Sequence, residues 1–521
     1  MGLDVAAHGR RKASPAERRI VTVALLLAMA VASLEQTVVS TAMPSIIAAL
    51  KGLDIYPWVF SAYLLAATVT TPIYGKLADI FGRKRLLLFG LGLFALGSML
   101  SGMARSMPEL IAMRVVQGLG AGAVGPIVLT MLGDLFTIEE RARVQGWFSA
   151  VWGVSSLAGP TLGGVLTDQL SWRWVFFVTV PFAALSGWIL IRHVHETLEH
   201  REVLPIDWVG AILLSLGSVV LLLAVLKGGD VSWTLGATLL VLAALMIGSF
   251  LVWEQIATDP ILPLDLIFSA HIGPAIAGSF LIGGLLFGLD TYIPLFIQGV
   301  RGGSATEAGS AIAPLFLSWA VSVAVAAQVV GRLGFRRTAV AGSILITTGT
   351  FAVALGTIWP AAARMLLAVG MVVIGLGMGP TSLSYILAVQ HAVAWGRRGA
   401  ATGAVIFFRT MGGSLWVGIL GASLAFTLAQ RLATPAGRGI DVTAALRPET
   451  HRLLSADQLQ VVQAALGLSL RDVFFEMVAL AALAIVCSIG LRGGRAVPHD
   501  KASPEASPEE QGVELPLAAE F

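Results

Sequence analysis

Apolar residues run along this chain in long blocks, and polar residues collect in short clusters between them. Each block approaches the ~20 residues that a membrane-spanning helix needs. The pattern predicts fourteen helical segments, over about residues 20–44, 57–78, 86–104, 109–132, 145–167, 174–192, 208–227, 234–253, 272–298, 306–330, 338–357, 361–388, 400–429 and 472–491. The first follows a basic stretch, MGLDVAAHGRRKASPAERR, but is too long for a signal-peptide core and is read as a retained span.

Composition narrows the class. The chain is 56% hydrophobic and only 12% charged, where an average soluble domain carries roughly a quarter charged residues. Mean hydropathy is +0.84. One integral membrane body is therefore expected from the 521 residues. The single cysteine, Cys487, excludes an intrachain disulfide and a cysteine-based metal site.

Loop charge sets the orientation. Taken alternately, one set of ends and loops carries twenty Lys and Arg, among them Arg10, Arg83, Arg141, Arg336, Arg397 and Arg492. The short loops of the other set carry six: Lys51, Arg105, Arg173, Lys227, Arg301 and Arg364. The positive-inside rule then places both termini in the cytoplasm of a cell inner (plasma) membrane. One outer loop, 430–471, is long; Ser455 is expected to cap a short helix in it, Gly467 to end that helix, and Ser469 and Asp472 to cap the last span. The tail 493–521 is rich in Pro, Ser and Glu and is expected to be disordered.

Weak internal repeats run in register. Leu34-Glu35 and Thr37 in the first segment match Leu289-Asp290-Thr291 in the ninth, and GLGAGAVGP (118–126) matches GLGMGP (375–380). RARVQG and RRGAATG open segments five and thirteen, and GKLADIFGRKR and GRLGFRR follow segments two and ten. Each pair is eight segments apart. The predicted layout is a basic tail (1–19), a six-helix bundle (20–192), two inserted helices (193–271), a second six-helix bundle (272–492) and a C-tail (493–521).

Ionisable residues at membrane depth point to chemistry. Glu35 lies about 13 Å, Asp290 about 12 Å and Arg114 about 8 Å inside the outer ends of their segments. Such charges are rare and mark ion or substrate paths. Glu35 is either a proton carrier or one half of a permanent ion pair with Arg114. On a helical wheel it points away from Ser33, Gln36, Thr37, Ser40 and Thr41, so acid and hydroxyl stripe face different neighbours. Asp290 shares a face with Ser279, Gly283, Phe287 and Pro294; Gly283 and Phe287 suit ordinary helix packing, or Phe287 a ring offered to a cationic substrate. Arg409, near mid-membrane, has three candidate partners: Asp290, a substrate anion or backbone carbonyls.

Two glycine motifs stand beside these. In GKLADIFGRKR (75–85), Gly75 and Gly82 suit close approach and a tight turn, Arg83 and Arg85 belong to the basic cluster, and Asp79 needs a cationic partner or a helix N-terminus, a contact suited to latching one conformation. In GVSSLAGPTLGG (153–164), Gly153, Gly159, Pro160, Gly163 and Gly164 suit either helix packing or gating. No phosphate-binding GxxxxGK[ST] loop occurs, the eight histidines show no ligand spacing, and no metal site, cofactor or nucleic-acid partner is expected. Energy for any transport would come from an ion gradient or a separate subunit.

These motifs resemble those of the major facilitator superfamily, and within it the fourteen-helix drug:proton antiporters, over about residues 18–492. GKLADIFGRKR is similar to the family's loop motif after helix two, RVVQGLGAG (114–122) to its helix-four motif, and GVSSLAGPTLGG to its antiporter-associated helix-five motif. SWRWVFFVTVP (171–181) and YIPLFIQGVRGGSATEAG (292–309) are typical of the fourteen-helix branch. The resemblance implies proton transfer at Arg114, with Gln117 beside it in the motif. SLEQTVVSTAMP (33–44) resembles the first-helix pattern, with Glu35 for the usual aspartate and Ser40 for the usual asparagine. GRLGFRR has no acid equivalent to Asp79, so the latch is expected on one side only.

The expected protein is thus an all-α membrane transporter, not an enzyme, with fourteen transmembrane helices and a monomeric state. It would export small amphipathic, often cationic compounds against protons by alternating access. The rivals are an exporter or importer of one metabolite, siderophore or lipid, and a non-transporting membrane sensor or scaffold.

Overall fold

The computed structural model describes residues 15–136, 138–194, 207–227, 233–257, 260–261, 264–393, 398–433 and 455–492. Every regular element among them is helical. The first half holds α1 (Pro15–Leu50), α2 (Pro57–Phe81), α3 (Arg83–Met103), α4 (Met107–Leu135), α5 (Ile138–Gln169), α6 (Trp174–Phe177) and α7 (Thr179–His193). Next come α8 (Trp208–Lys227), α9 (Trp233–Ile256) and the single turn α10 (Leu264–Ile267). The second half holds α11 (Gly273–Leu295), which runs on into a π turn (Phe296–Val300), then α12 (Ala305–Leu333), α13 (Phe335–Ile358), α14 (Ala363–His391), α15 (Arg398–Leu432) and α16 (Ala456–Gly490).

Over the described residues, eleven helices are long and apolar enough to cross a membrane, and α8 adds a shorter apolar stretch, Trp208–Ala224. Fourteen long helices are present; length and composition over the described residues qualify eleven as crossings and do not by themselves establish the fourteen expected. The helix α2 falls short because Thr68, Thr70, Thr71 and Pro72 dilute its apolar run.

The two halves use one packing plan. In the first, α3 lies on α4, α2 on α4, α1 on α5 and on α7; in the second, α13 lies on α14, α12 on α14, α11 on α15 and on α16. Across the halves, α5 meets α12 and α2 meets α15. Apolar side chains gain little from leaving lipid, so small residues that permit close backbone approach drive this packing. A Cβ on Gly120 would sit 2.3 Å from the backbone of Phe94; one on Gly349 would sit 2.7 Å from the carbonyl of Gly370. The turns match as well. Gly82 (φ 93°) joins α2 to α3 and Gly334 (φ 82°) joins α12 to α13, both in a conformation that favours glycine. The inserted α8–α9 pair packs through Leu214, Leu222 and Phe250 on Leu65, Val69, Phe407 and Met411 of α2 and α15.

The end of the bundle that carries the start of α1 and the end of α16 is here the termini end; the opposite end holds the α1–α2 connection. At the termini end Arg18 of α1 donates to the carbonyl of Leu135, and Lys84 of α3 to those of Ile191 and Val194.

One expectation at the opposite end is corrected. Gly467 does not end a short helix: α16 is continuous for 35 residues. Ser455 does cap it, with Gln458 completing a capping box. The apolar face continues through Leu466, Leu470 and Val473, and Gly467 packs against Val300 at the end of the π turn. Ser469 donates to the Ala465 carbonyl and Asp472 pairs with Arg431 at 2.5 Å, so neither starts a helix. The intervening residues 434–454, and the tail from 493, lie outside the described residues.

Candidate functional site

Glu35, Arg114 and Gln117 come together in one buried network. Arg114 Nη1 donates to Glu35 Oε1 and, at 2.7 Å, to Gln117 Oε1, while its Nε donates to the carbonyl of Val59 at 3.1 Å. The guanidinium lies 4.1 Å from the centre of the Tyr63 ring. Gln117 Nε2 donates to Ser98 Oγ, which in turn bonds the Phe176 carbonyl and Thr179. Glu35 and Gln117 are 0% exposed and Arg114 1%, so bulk water does not screen the pair. Glu35 Oε2 is buried and accepts no hydrogen bond. Gly97 makes this possible: a Cβ there would lie 2.4 Å from the Gln117 backbone nitrogen, so α3 and α4 touch beside the network.

Asp290 lies on the matching helix of the other half and has a different neighbour. Ser40 of α1 donates to its Oδ1 at 3.1 Å across the interface of the halves. Glu35 therefore faces α4 within its own half, while the hydroxyl stripe beside it reaches α5 (Thr37 to the Ser155 carbonyl) and the second half (Ser40). Arg409 does not meet Asp290. Among the described residues its side chain has no hydrogen bond, ion pair or ring contact, and it is half-buried.

The helix-five glycines set α5 between α1 and α12. Added Cβ atoms on Gly159 and Gly163 would strike Thr37 and the Val38 carbonyl; one on Gly164 would come within 2.5 Å of Ala305 and Thr306. The carbonyl of Pro160 would be 2.1 Å from a Cβ on Gly309, whereas a Cβ on Gly153 would be 3.9 Å from that of Ala320. The contact is thus tight at one end and loose at the other. In the loop motif, Gly82 makes the turn, and among the described residues nothing lies within 4 Å of a Cβ on Gly75. Arg83 is half-buried and Arg85 exposed. The side chain of Asp79 lies outside the described residues.

Sequence reasoning missed the contacts that join the halves. Ser61 and Ser414 each donate to the other's carbonyl, at 2.7 and 2.9 Å. Gln298 donates to the Thr41 carbonyl at 2.9 Å. Asp168, at the end of α5, accepts from the backbone of Ala305 and Thr306 and from the Thr306 hydroxyl, capping α12 across the interface. The signal available was Asp168 lying just past a glycine-rich helix and opposite a helix start.

All of these contacts lie away from the termini end, and burial follows them. On α1 every residue from 37 to 47 is buried, and on α11 every residue from 288 to 299. Nearer the termini end, Val23 on α1 is 51% exposed and Leu34, Gln36 and Phe287 are half-buried. On α15, Gly403 and Ile406 are exposed and Thr410 half-buried, whereas Gly413 and Val417 on the same stripe are buried. Along the second half of α12 only Ser322, Ala326 and Val330 are buried. The halves therefore part toward the termini end and close above Gln36, Phe287 and Thr410.

Two related helical halves that part at one end, a buried ion pair inside the first half and a buried acid where the halves meet define a membrane transporter. A model of the Major Facilitator Superfamily matches residues 25–417, and the chain belongs to that family. It is 37% identical over 413 residues to Multidrug resistance protein 3 of Bacillus subtilis, covering 78% of this chain and 80% of that one. It is 35% identical over 415 residues to the Multidrug transporter protein MdtP of the same organism, covering 79% and 76%. Among solved structures, a bacterial homolog of the human lysosomal transporter Spinster, inward-facing and unoccupied, superposes with a TM-score of 0.66 at 14% identity, covering 92% of this chain and 98% of that one. That likeness shows the fold.

Proposed function

We propose that this protein exports small amphipathic compounds from the cytoplasm in exchange for protons, by alternating access. The observation that carries the reading is Glu35: one carboxylate oxygen is held by Arg114, and the other is buried with no donor. A buried acceptor left empty is costly, and a proton on that oxygen removes the charge that makes it so. Release of the proton restores the pair with Arg114. Glu35 then serves as proton carrier, with Arg114 and Gln117 holding its other oxygen in place. Asp290, at the closed end of the cleft, suits the cationic group of a substrate. Two multidrug-named relatives support the substrate class.

In this reading the termini end is cytoplasmic, in line with its loop arginines and lysines. The structure is then the cytoplasm-open state of a monomer in the inner or plasma membrane, with no cofactor beyond the proton gradient. The test is transport in proteoliposomes under an imposed pH gradient. Wild-type protein should move an amphipathic cation against the proton flow. Glu35→Gln should lose at least about tenfold of the gradient-driven rate while keeping its thermal melting profile. Gradient-driven transport at an unchanged rate would remove Glu35 from the mechanism, and movement of compound along with protons would make the protein an importer.

A further inference from the structure

A second charged group, on a helix that meets the other half, is left without a task by the efflux reading. Arg409 sits eleven residues into α15, about 16 Å from its start. Its backbone is pressed against α11: a Cβ on Gly283 would be 1.8 Å from the Arg409 carbonyl oxygen. In the neighbouring stripe, Gly403 and Ile406 are exposed and Thr410 is half-buried. A guanidinium at this depth, half-buried and with no protein partner among the described residues, is costly unless it faces water or an anion. One turn further along α15, Gly413 touches the ring of Phe287, to which a Cβ would come within 2.2 Å. One turn beyond Phe287 on α11 lies Asp290. From the mouth of the cleft to its closed end the order is cation, aromatic ring, carboxylate, with Gly283 and Asp290 about 10 Å apart along α11.

We propose that Arg409 seats an anionic group of the transported compound, so that the preferred substrates are zwitterionic amphipaths: a carboxylate at Arg409, a planar apolar body against Phe287 and an ammonium toward Asp290. This rests on the efflux reading and narrows its substrate class. Arginine suits the task because its fork binds a carboxylate through two parallel hydrogen bonds.

The experiment measures binding to purified full-length protein by titration calorimetry, with no ion gradient. Three probes are compared: a rigid aromatic amine, the same amine carrying a carboxylate about 10 Å away, and the methyl ester of that acid. The acid should bind wild-type protein at least about tenfold more tightly than the ester. Arg409→Gln should bring the acid-to-ester ratio to about one, and Arg409→Lys, which keeps the charge but not the fork, should leave a reduced preference. Equal affinities for acid and ester in wild-type protein overturn the anion seat, as does an undiminished ratio in either variant. If wild-type protein binds none of the probes, the amphipathic-substrate reading fails with it. Loss of gradient-driven transport in the liposome assay, with the acid preference intact, counts against proton coupling alone.

Discussion

Arg114 and Arg409 show what decides the role of a cation inside a membrane protein. Arg114 divides its donors among Glu35, Gln117 and the Val59 carbonyl and stacks on Tyr63, so its charge is fully answered within the first half. Among the described residues Arg409 has no such set. The two acids differ in the same way. Glu35 is held by an ion pair, whereas Asp290 is 5% exposed and bonds a hydroxyl that belongs to the other half. Asp290→Asn should therefore weaken efflux of cationic compounds by about tenfold or more while changing neutral ones much less, as measured by uptake into everted vesicles. Equal loss for both would make Asp290 a structural or coupling residue. The pairing of Glu35 with Arg114 was legible in the sequence because both are charged and lie at similar depth. The partner of Asp290 was not: Ser40 is 250 residues away, and a serine in a membrane helix gives no sign of which neighbour it serves.

At the scale of helices, glycine spacing shows where backbones touch but not which backbones. The segment GVSSLAGPTLGG reads as a packing or gating face in either case. In the structure Gly159 and Gly163 serve α1, and Gly164 serves α12. Substitution should separate these roles. Gly164→Val should push α5 from α12 and destabilise the closed end by about 1–3 kcal/mol. A cysteine placed at the buried Ser414 should then become reactive to an impermeant thiol reagent added from the side opposite the termini. Gly153→Val, where a side chain meets only ordinary contact, should leave that cysteine protected. Protection unchanged in both variants would show that the α5–α12 seam does not hold the end shut. Helix limits were legible where a cap is local, as at Ser455. They were misjudged at Gly467, because a glycine that ends a helix and one that admits a neighbouring chain look alike in sequence.

For the whole molecule, the two-fold plan was visible in four motif pairs eight segments apart, and the structure repeats it in helix packing and in the turns at Gly82 and Gly334. Which end of the cleft is open was not legible, since one sequence must encode both states of a transporter. The reciprocal bonds between Ser61 and Ser414 offer a handle. In a Cys487→Ser background, cysteines at 61 and 414 should form a disulfide on oxidation, stop transport, and restore it on reduction. Transport at full rate with the disulfide formed would mean that α2 and α15 need not separate there.

The bond from Ser40 to Asp290 carries one further consequence. Asp290 helps fasten the two halves through one carboxylate oxygen, and in the efflux reading a substrate ammonium would approach that same carboxylate. Cargo and closure would then draw on the same negative charge, and by thermodynamic linkage a cation that binds Asp290 more tightly once the Ser40 bond is broken would loosen the seam above it. On that reading, loading the site and unlocking the far door would be one event, with no signal needing to travel between them.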